Sequence, residues 1–167
     1  QWTRAFHADS RRCRHPVADQ WGLCFPPHRT HDCRLAVAYR QGAKNAEMTT
    51  ETHEVSAEVN ALAREIVDAC FKVHTALGPG LLESAYEACL AYELSMRGIA
   101  VARQVALPVL YGGVQVDAGY RLDLLIEDKV IVELKAVENI EPIHKAQLLT
   151  YLKLGEKPLG FLVNFNV

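Results

Sequence analysis

Three charged residues interrupt two short apolar segments in the second half of the chain. Asp123 stands within residues 122–126, and Glu133 and Lys135 stand within residues 130–136. Burying a carboxylate is costly unless a cation or hydrogen bonds compensate it. Two carboxylates that converge could hold a hard divalent cation, which prefers oxygen ligands. The lysine would add a positive charge for a scissile phosphate or an attacking hydroxide.

The same three residues also have a purely structural explanation. Lys135 could form a buried ion pair with Glu133 or Asp123 that serves only the fold. An aspartate followed at a distance by E-x-K is a common spacing in proteins. The three positions by themselves therefore leave a metal site and an ion pair as alternatives.

Four further polar residues stand where they could join such a site. Gln147 and Tyr151 are four residues apart in a predicted helix and share one of its faces. They could orient the lysine or contact a nucleic-acid backbone, or simply form a solvated face. Glu83 falls in the first turn of an earlier helix, where helix electrostatics also favour an acidic residue. His74 lies in the preceding helix, and a half-buried structural histidine is the simpler explanation for it.

The spacing of apolar residues predicts the helices and strands that carry these candidates. Helical periodicity ends at Gly78-Pro79-Gly80, and after Gly98 the period changes to the alternation of strands. The predicted order is α-α-β-β-β-α-β. Its elements are helices over residues 55–77 and 81–97, strands over 101–109, 120–126 and 130–136, a helix over 141–155 and a strand over 159–165.

Whether the two carboxylates can share a cation depends on the loop between the second and third predicted strands. A three-residue loop, residues 127–129, would pair Ile126 with Val130 and place Asp123 opposite Glu133. A two-residue turn would send the two side chains to opposite faces of the sheet. We therefore predict the odd-length loop, or a β-bulge that restores the same parity.

Several motifs together resemble a known family. Residues 80–86 read GLLESAY and match the signature of the GxxExxY protein family, part of the PD-(D/E)XK nuclease superfamily. Residues 120–123 (YRLD) and 132–136 (VELKA) match its D…E-x-K core. Gln147 and Tyr151 resemble the Q-x-x-x-Y motif of RecB-like nucleases. The resemblance covers about residues 55 to 166, with leucine in place of the proline of the PD dipeptide.

The resemblance implies an α/β fold with a PD-(D/E)XK restriction-endonuclease-like core, in which helices flank a mixed β-sheet. It implies Mg²⁺ or Mn²⁺ as cofactor and hydrolysis of phosphodiester bonds, in DNA rather than RNA. The alternatives are a catalytically inactive nuclease-fold module that binds or assists, and a purely structural dimerising domain. Fold resemblance alone does not establish activity.

The resemblance also gives each candidate residue a role. The metal ligands would be Asp123 and Glu133, with Glu83 reaching the site from its helix and His74 as an additional ligand. Lys135 would act at the phosphate, and Gln147 and Tyr151 would be supporting contacts.

The first 47 residues differ from the rest of the chain. They contain both tryptophans and three of the five cysteines without sustained periodicity, so we expect a disordered or non-native leader. The nuclease-like domain is expected over residues 48–167, truncated at its C-terminus because similar proteins continue further. A zinc site made of Cys24, His28, His31 and Cys33 is the alternative, but the spacing fits no standard finger.

Composition constrains partners and location. No stretch is long and apolar enough to predict a membrane span, and the cysteines form no C-x-x-C pair, so we expect a cytoplasmic protein with no membrane partner. Residues 48–167 carry ten basic and sixteen acidic residues, a net charge of −6. That balance disfavours tight non-specific binding of nucleic acid, the expected partner. Homodimer formation is left open.

Overall fold

The structure, a computed structural model, describes residues 35–40, 56–117 and 119–167. Within these ranges the chain forms three helices and seven strands. The helices are α1 (Ala57–Leu77), α2 (Glu83–Met96) and α3 (Pro142–Leu154). The strands are β1 (Ala36–Arg40), β2 (Val101–Ala106), β3 (Val109–Tyr111), β4 (Val114–Val116), β5 (Arg121–Ile126), β6 (Val130–Lys135) and β7 (Leu159–Asn164).

Local sequence explains where the helices begin and end. The Ser56 hydroxyl accepts a hydrogen bond from the Val59 N–H at 3.3 Å and caps α1. Gly78, with φ of +65°, ends that helix. In α3, Glu141 and His144 form a capping box, and Pro142 occupies the first turn, where its missing N–H costs nothing. None of the described helices is long and apolar enough to cross a membrane.

Five strands form a mixed sheet in the order β1-β7-β6-β5-β2, and β3 and β4 form a separate hairpin. Strands β6 and β7 run parallel, connected through α3, while the other neighbouring pairs are antiparallel. A five-stranded mixed sheet with three helices confirms the predicted α/β fold class.

Two features of the sheet were not predicted. Strand β1 pairs with β7 although it lies within residues 1–47, for which we predicted little packed structure; the remainder of that segment, including the four residues of the zinc alternative, lies outside the described residues. The predicted strand over residues 101–109 ends at Ala106, and the hairpin of β3 and β4 over residues 109–116 was not predicted. Pro108 interrupts the pairing because it lacks an N–H for the ladder.

One predicted core position was wrong. Helical spacing over residues 81–97 predicts a buried face made of Leu82, Tyr86, Cys89, Leu90 and Leu94, but Leu82 is the N-cap residue of α2 and 78% exposed. Tyr86, Leu90 and Leu94 are buried as their helical spacing indicates.

The predicted loop parity is confirmed. Ile126 pairs with Val130 and Leu124 with Val132, so residues 127–129 form a three-residue loop. Glu127 and Asp128 both have positive φ, near +50°, and the Lys129 N–H donates to the Ile126 carbonyl at 2.9 Å. The pairing ends at Leu124 and Val132, next to Asp123 and Glu133, and beyond it the Leu134 N–H donates to the Asp123 side chain.

Helix α3 packs closely on the sheet over β7. A Cβ atom added at Gly160 would lie 2.9 Å from Leu148 and 3.1 Å from Leu152, so glycine is required for this approach. Leu148 and Leu152 belong to a buried cluster that includes Ile131 of β6 and Leu162 of β7. The cluster holds the polar face of α3 at a fixed position above β6.

Candidate metal and phosphate site

The site begins with two carboxylates, Asp123 and Glu133, at the point where the pairing of β5 and β6 ends. Asp123 Oδ2 accepts a hydrogen bond from the Leu134 N–H at 2.8 Å, across the two strands. Glu133 is buried, with 2% of its surface exposed. The sheet therefore fixes both side chains before any ligand binds.

The two oxygens of Glu133 have different surroundings. Its Oε1 atom accepts hydrogen bonds from Lys135 Nζ and from Gln147 Nε2, each at 2.8 Å. Its Oε2 atom is buried and has no hydrogen-bond partner among the described residues. An unsatisfied buried carboxylate oxygen is costly unless another group, such as a cation, completes its environment.

The pKa values of all three core residues are raised, chiefly by burial for the two carboxyl groups and by the neighbouring carboxylates for the lysine. Burial and then the charge of Asp123 raise the pKa of Glu133 to about 7, against the opposing effect of Lys135. Burial also raises the pKa of Asp123, although the Leu134 N–H and Lys135 oppose it. Burial acts to lower the pKa of Lys135, but the hydrogen bond and charge of Glu133 outweigh it, so the net shift is upward. The site therefore retains protons and favours added positive charge.

Helix α3 contributes Gln147 and Tyr151 as predicted from their shared face. The Gln147 amide donates to Glu133 Oε1 and also to the Tyr151 hydroxyl at 2.9 Å. Tyr151 is buried, with 5% exposed, and its ring lies edge-on to the ring of Tyr120. The glutamine therefore contacts the carboxylate directly, whereas we had considered contact with the lysine.

Helix α2 brings Glu83 to the same end of β6. Its Oε1 atom accepts a hydrogen bond from the Ala136 N–H at 3.0 Å, immediately after Lys135. The loop before α2 is held by Tyr86, whose hydroxyl donates to the Gly78 carbonyl at 2.6 Å and accepts from the Leu81 N–H at 3.1 Å. Gly80 has φ of +102°, which favours glycine. The residues of the GLLESAY run thus position a helix N-terminus beside the carboxylates.

Comparison with known proteins agrees with this geometry. A model of the PD-(D/E)XK nuclease superfamily matches residues 60–167, well over half of the chain. The chain belongs to the PD-(D/E)XK nuclease superfamily. Comparisons with curated proteins and with solved structures find no match. The match includes every element that carries a predicted site residue.

Members of this superfamily generally use a divalent metal ion, and the carboxylates fit one. Asp123 and Glu133 flank the last paired residues of β5 and β6, Leu124 and Val132, and Glu133 Oε2 is buried with no partner among the described residues. In the described part of the chain, no three His, Cys, Asp or Glu side chains form a metal-binding group. Mg²⁺ commonly takes only one or two protein carboxylates and keeps water or phosphate oxygens as its other ligands. The donor set suits such an open site.

Two residues beside the site were missed in the sequence analysis. Glu87 is buried, with 5% exposed, and accepts hydrogen bonds from Arg103 Nε at 2.8 Å and Gln104 Nε2 at 2.7 Å. The same Gln104 amide reaches Asp123 Oδ1 at 3.5 Å, a weak contact. Gln104 also has φ of +51° within β2, a conformation that is uncommon for residues other than glycine. The i, i+4 relation of Glu83 and Glu87 was the available signal.

His74 is placed differently from the other predicted residues. Its Nε2 atom lies 2.9 Å from the Val167 carbonyl oxygen, and its ring stacks near that of Phe165. These contacts join α1 to the end of the chain. They give no support to a metal-ligand role, which stays a prediction.

Proposed function

We propose that this protein is a metal-dependent nuclease that hydrolyses phosphodiester bonds in DNA. The observation that carries the proposal is the buried Glu133 carboxylate, which has Lys135 on one oxygen, no partner on the other among the described residues, and the charge of Asp123 nearby. An ion pair that served only the fold would match one carboxylate to one cation. Here two carboxylates share one lysine, and burial raises the pKa of both Asp123 and Glu133.

Each residue has a definable part in the proposed reaction. Asp123 and Glu133 would hold Mg²⁺ or Mn²⁺, which when bound polarises the phosphate and makes water a stronger nucleophile. Lys135 would stabilise the negative charge that develops on the phosphate oxygens, since its raised pKa keeps it protonated. Gln147 would keep Glu133 oriented through their 2.8 Å hydrogen bond, and Tyr151 would orient the glutamine.

Glu83 would contribute from the start of α2. Its Oε1 atom accepts from the Ala136 N–H, and its negative charge adds to the upward pKa shift of Glu133. The carboxylate therefore lies close enough to influence the site without a direct contact to Glu133. We propose that Glu83 has a supporting role near the metal.

The second candidate is a module that keeps the site and binds nucleic acid without cleaving it. The observation in its favour is the net charge of −6 in residues 48–167. An acidic domain gains little affinity from phosphate contacts, so efficient capture of substrate would need a partner protein.

The two candidates are separated by cleavage assays with single- and double-stranded DNA and RNA in Mg²⁺, Mn²⁺ or EDTA. We expect DNA cleavage that requires metal and that falls at least ~100-fold in Glu133→Gln, because the electrostatic contribution of such a site is worth several kcal/mol. Glu93→Gln is the matched control, since it removes a glutamate of α2 that pairs with Lys72 and Arg97. DNA binding without metal-dependent cleavage would favour the binding module, and preferential RNA cleavage would correct the substrate.

A further inference from the structure

The β3–β4 hairpin continues from the end of the sheet at which the site lies. The Leu107 N–H donates to the Tyr120 carbonyl at 2.9 Å, which extends the pairing of Ala106 with Arg121 by one step. The hairpin follows directly from this point. Because β5 and β6 are antiparallel, the start of β5, which follows Tyr120, and the end of β6, where Lys135 lies, are at the same end of the sheet. The hairpin, which we call the arm (Val109–Val116), therefore starts at the Lys135 end of the sheet.

The surface of the arm is apolar and carries no positive charge. Its sequence, VLYGGVQV, contains no lysine or arginine. Leu110 is 72% exposed, Tyr111 81% and Val114 62%. These side chains supply no cation for a phosphate, but they can pack on the faces and edges of nucleobases.

Tyr120 links the arm to the carboxylates. Its side chain is 45% exposed, and its ring centroid lies 6.1 Å from that of Tyr151, at an interplanar angle of 60°. Tyr151 receives a hydrogen bond from Gln147, and Gln147 donates to Glu133. The exposed ring of Tyr120 is thus connected through Tyr151 and Gln147 to Glu133, the proposed metal ligand.

We infer that the substrate is single-stranded nucleic acid, one of whose bases stacks on Tyr120 while neighbouring bases pack on the arm. A base presents its face for stacking on a side chain when it is unpaired, and such stacking supplies affinity without positive charge. This solves the difficulty posed by the acidic balance of the domain, since phosphate contacts give it little affinity. The inference rests on the proposed nuclease function and adds the class of substrate.

The test is fluorescence anisotropy in EDTA, in which binding is measured without turnover. A short single-stranded DNA is compared with a blunt duplex of the same sequence. We expect the single strand to bind more tightly, and Tyr120→Ala to weaken it roughly 5- to 150-fold, the usual range for loss of one stacked base. Tyr120→Phe keeps the aromatic face and should bind like the unsubstituted protein.

Two further variants complete the design. Tyr111→Ala, at the tip of the arm, should also weaken single-strand binding. Tyr92→Ala is the matched control, because Tyr92 is 67% exposed on α2 and has no part in the proposed contact. Thermal unfolding of each variant establishes that it folds.

Each outcome has a defined meaning. Equal or tighter binding of the duplex, or equal losses in Tyr92→Ala and Tyr120→Ala, would overturn the single-strand inference. So would a homodimer that Tyr111→Ala dissociates, because the arm would then be an interface between copies. Metal-dependent cleavage alongside those results would leave the nuclease proposal intact. Conversely, Tyr120-dependent single-strand binding without any cleavage would refute the nuclease and support the substrate class.

Discussion

Two groups of charged side chains lie on different parts of the molecule, and their carboxylates ionise in opposite ways. Between α1 and α2, Glu93 accepts hydrogen bonds from Lys72 and Arg97, and these contacts lower its pKa. On the sheet, Glu133 accepts a hydrogen bond from one cation, Lys135, and burial raises its pKa to about 7. Both groups contain carboxylates and cations at hydrogen-bond distance, so proximity alone does not distinguish them.

The difference lies in burial and in the number of cations for each carboxylate. Lys72 is 65% exposed in its side chain, and Arg97 contacts Glu65, Asp68 and Glu93 from a half-buried position. This network joins two helices, and two of its carboxylates, Glu65 and Asp68, are exposed. Glu133 is 3% exposed in its side chain, lies near a second carboxylate, Asp123, and has one oxygen with no partner among the described residues. The comparison shows that a buried excess of carboxylates, and not an ion pair as such, marks the candidate site.

The largest expected effect comes from removing the cation of the sheet group. Lys135→Ala should reduce DNA cleavage at least ~100-fold, because the positive charge that stabilises the phosphate is lost. Metal binding should stay nearly intact, since an ammonium is not a ligand. Calorimetry at pH 8, where Glu133 is ionised, measures the Mn²⁺ affinity of Lys135→Ala. Asp123→Ala, which removes a proposed metal ligand, is the control. If Mn²⁺ affinity falls equally in the two variants, the division of roles between lysine and aspartate is wrong.

An intermediate effect should appear in the pH dependence of stability. Because the pKa of Glu133 rises from 4.5 to about 7 on folding, the folded protein holds that proton more tightly than the unfolded chain. The carboxyl group therefore destabilises the fold increasingly between pH 4.5 and about 7. Relative to the unsubstituted protein, Glu133→Gln should gain on the order of 1–3 kcal/mol across this interval. Chemical denaturation in EDTA provides the measurement.

Glu93→Gln should show the opposite pH dependence of stability in the same experiment. The lowered pKa of Glu93 means that its carboxylate stabilises the fold above pH 4.5 and that this contribution is lost as the pH falls through the lower, folded-state pKa. Its pH-dependent change should therefore lie below pH 4.5 and have the opposite sign. Parallel curves for the two variants would show that the two carboxylates do not differ as described.

The smallest expected effect is at the exposed edge of the helix network. Lys72→Gln removes a cation whose side chain is 65% exposed, so the free energy of unfolding should fall by less than ~1 kcal/mol. The loss should shrink further at high salt because the charges are screened. Cleavage should be unchanged. A larger loss in denaturation, or reduced cleavage, would mean that the helix network supports the site.

The elements nearest the site could be predicted from the sequence because their signals are local. Strand β6 and helix α3 follow apolar periodicity, and their ends coincide with a polar loop, a proline and Gly155. The three-residue loop that pairs Ile126 with Val130 could be predicted from the parity that a shared site for Asp123 and Glu133 requires. The shared face of Gln147 and Tyr151 followed from helical spacing, and the structure joins both to Glu133.

Strand β1 and the pair formed by Glu87 and Gln104 were missed for a different reason. The edge strand β1 is held by pairing with β7, more than a hundred residues later, and carries no clear signal of its own. Gln104 reaches Glu87 because its backbone adopts a positive φ, for which its sequence neighbours offer no indication. Such placements depend on contacts between distant segments.

The sequence by itself determined the element types around the site, the residue set and the relative faces of the two carboxylates, because periodicity and loop length act over a few neighbouring residues. Only the tertiary structure decided which donors reach each oxygen. It gave Glu133 Oε1 both Lys135 and Gln147 and left Oε2 without a partner in the described residues. It also turned His74 toward the end of the chain. These outcomes depend on how α1, α2 and α3 pack against the sheet, and packing is a property of the whole fold.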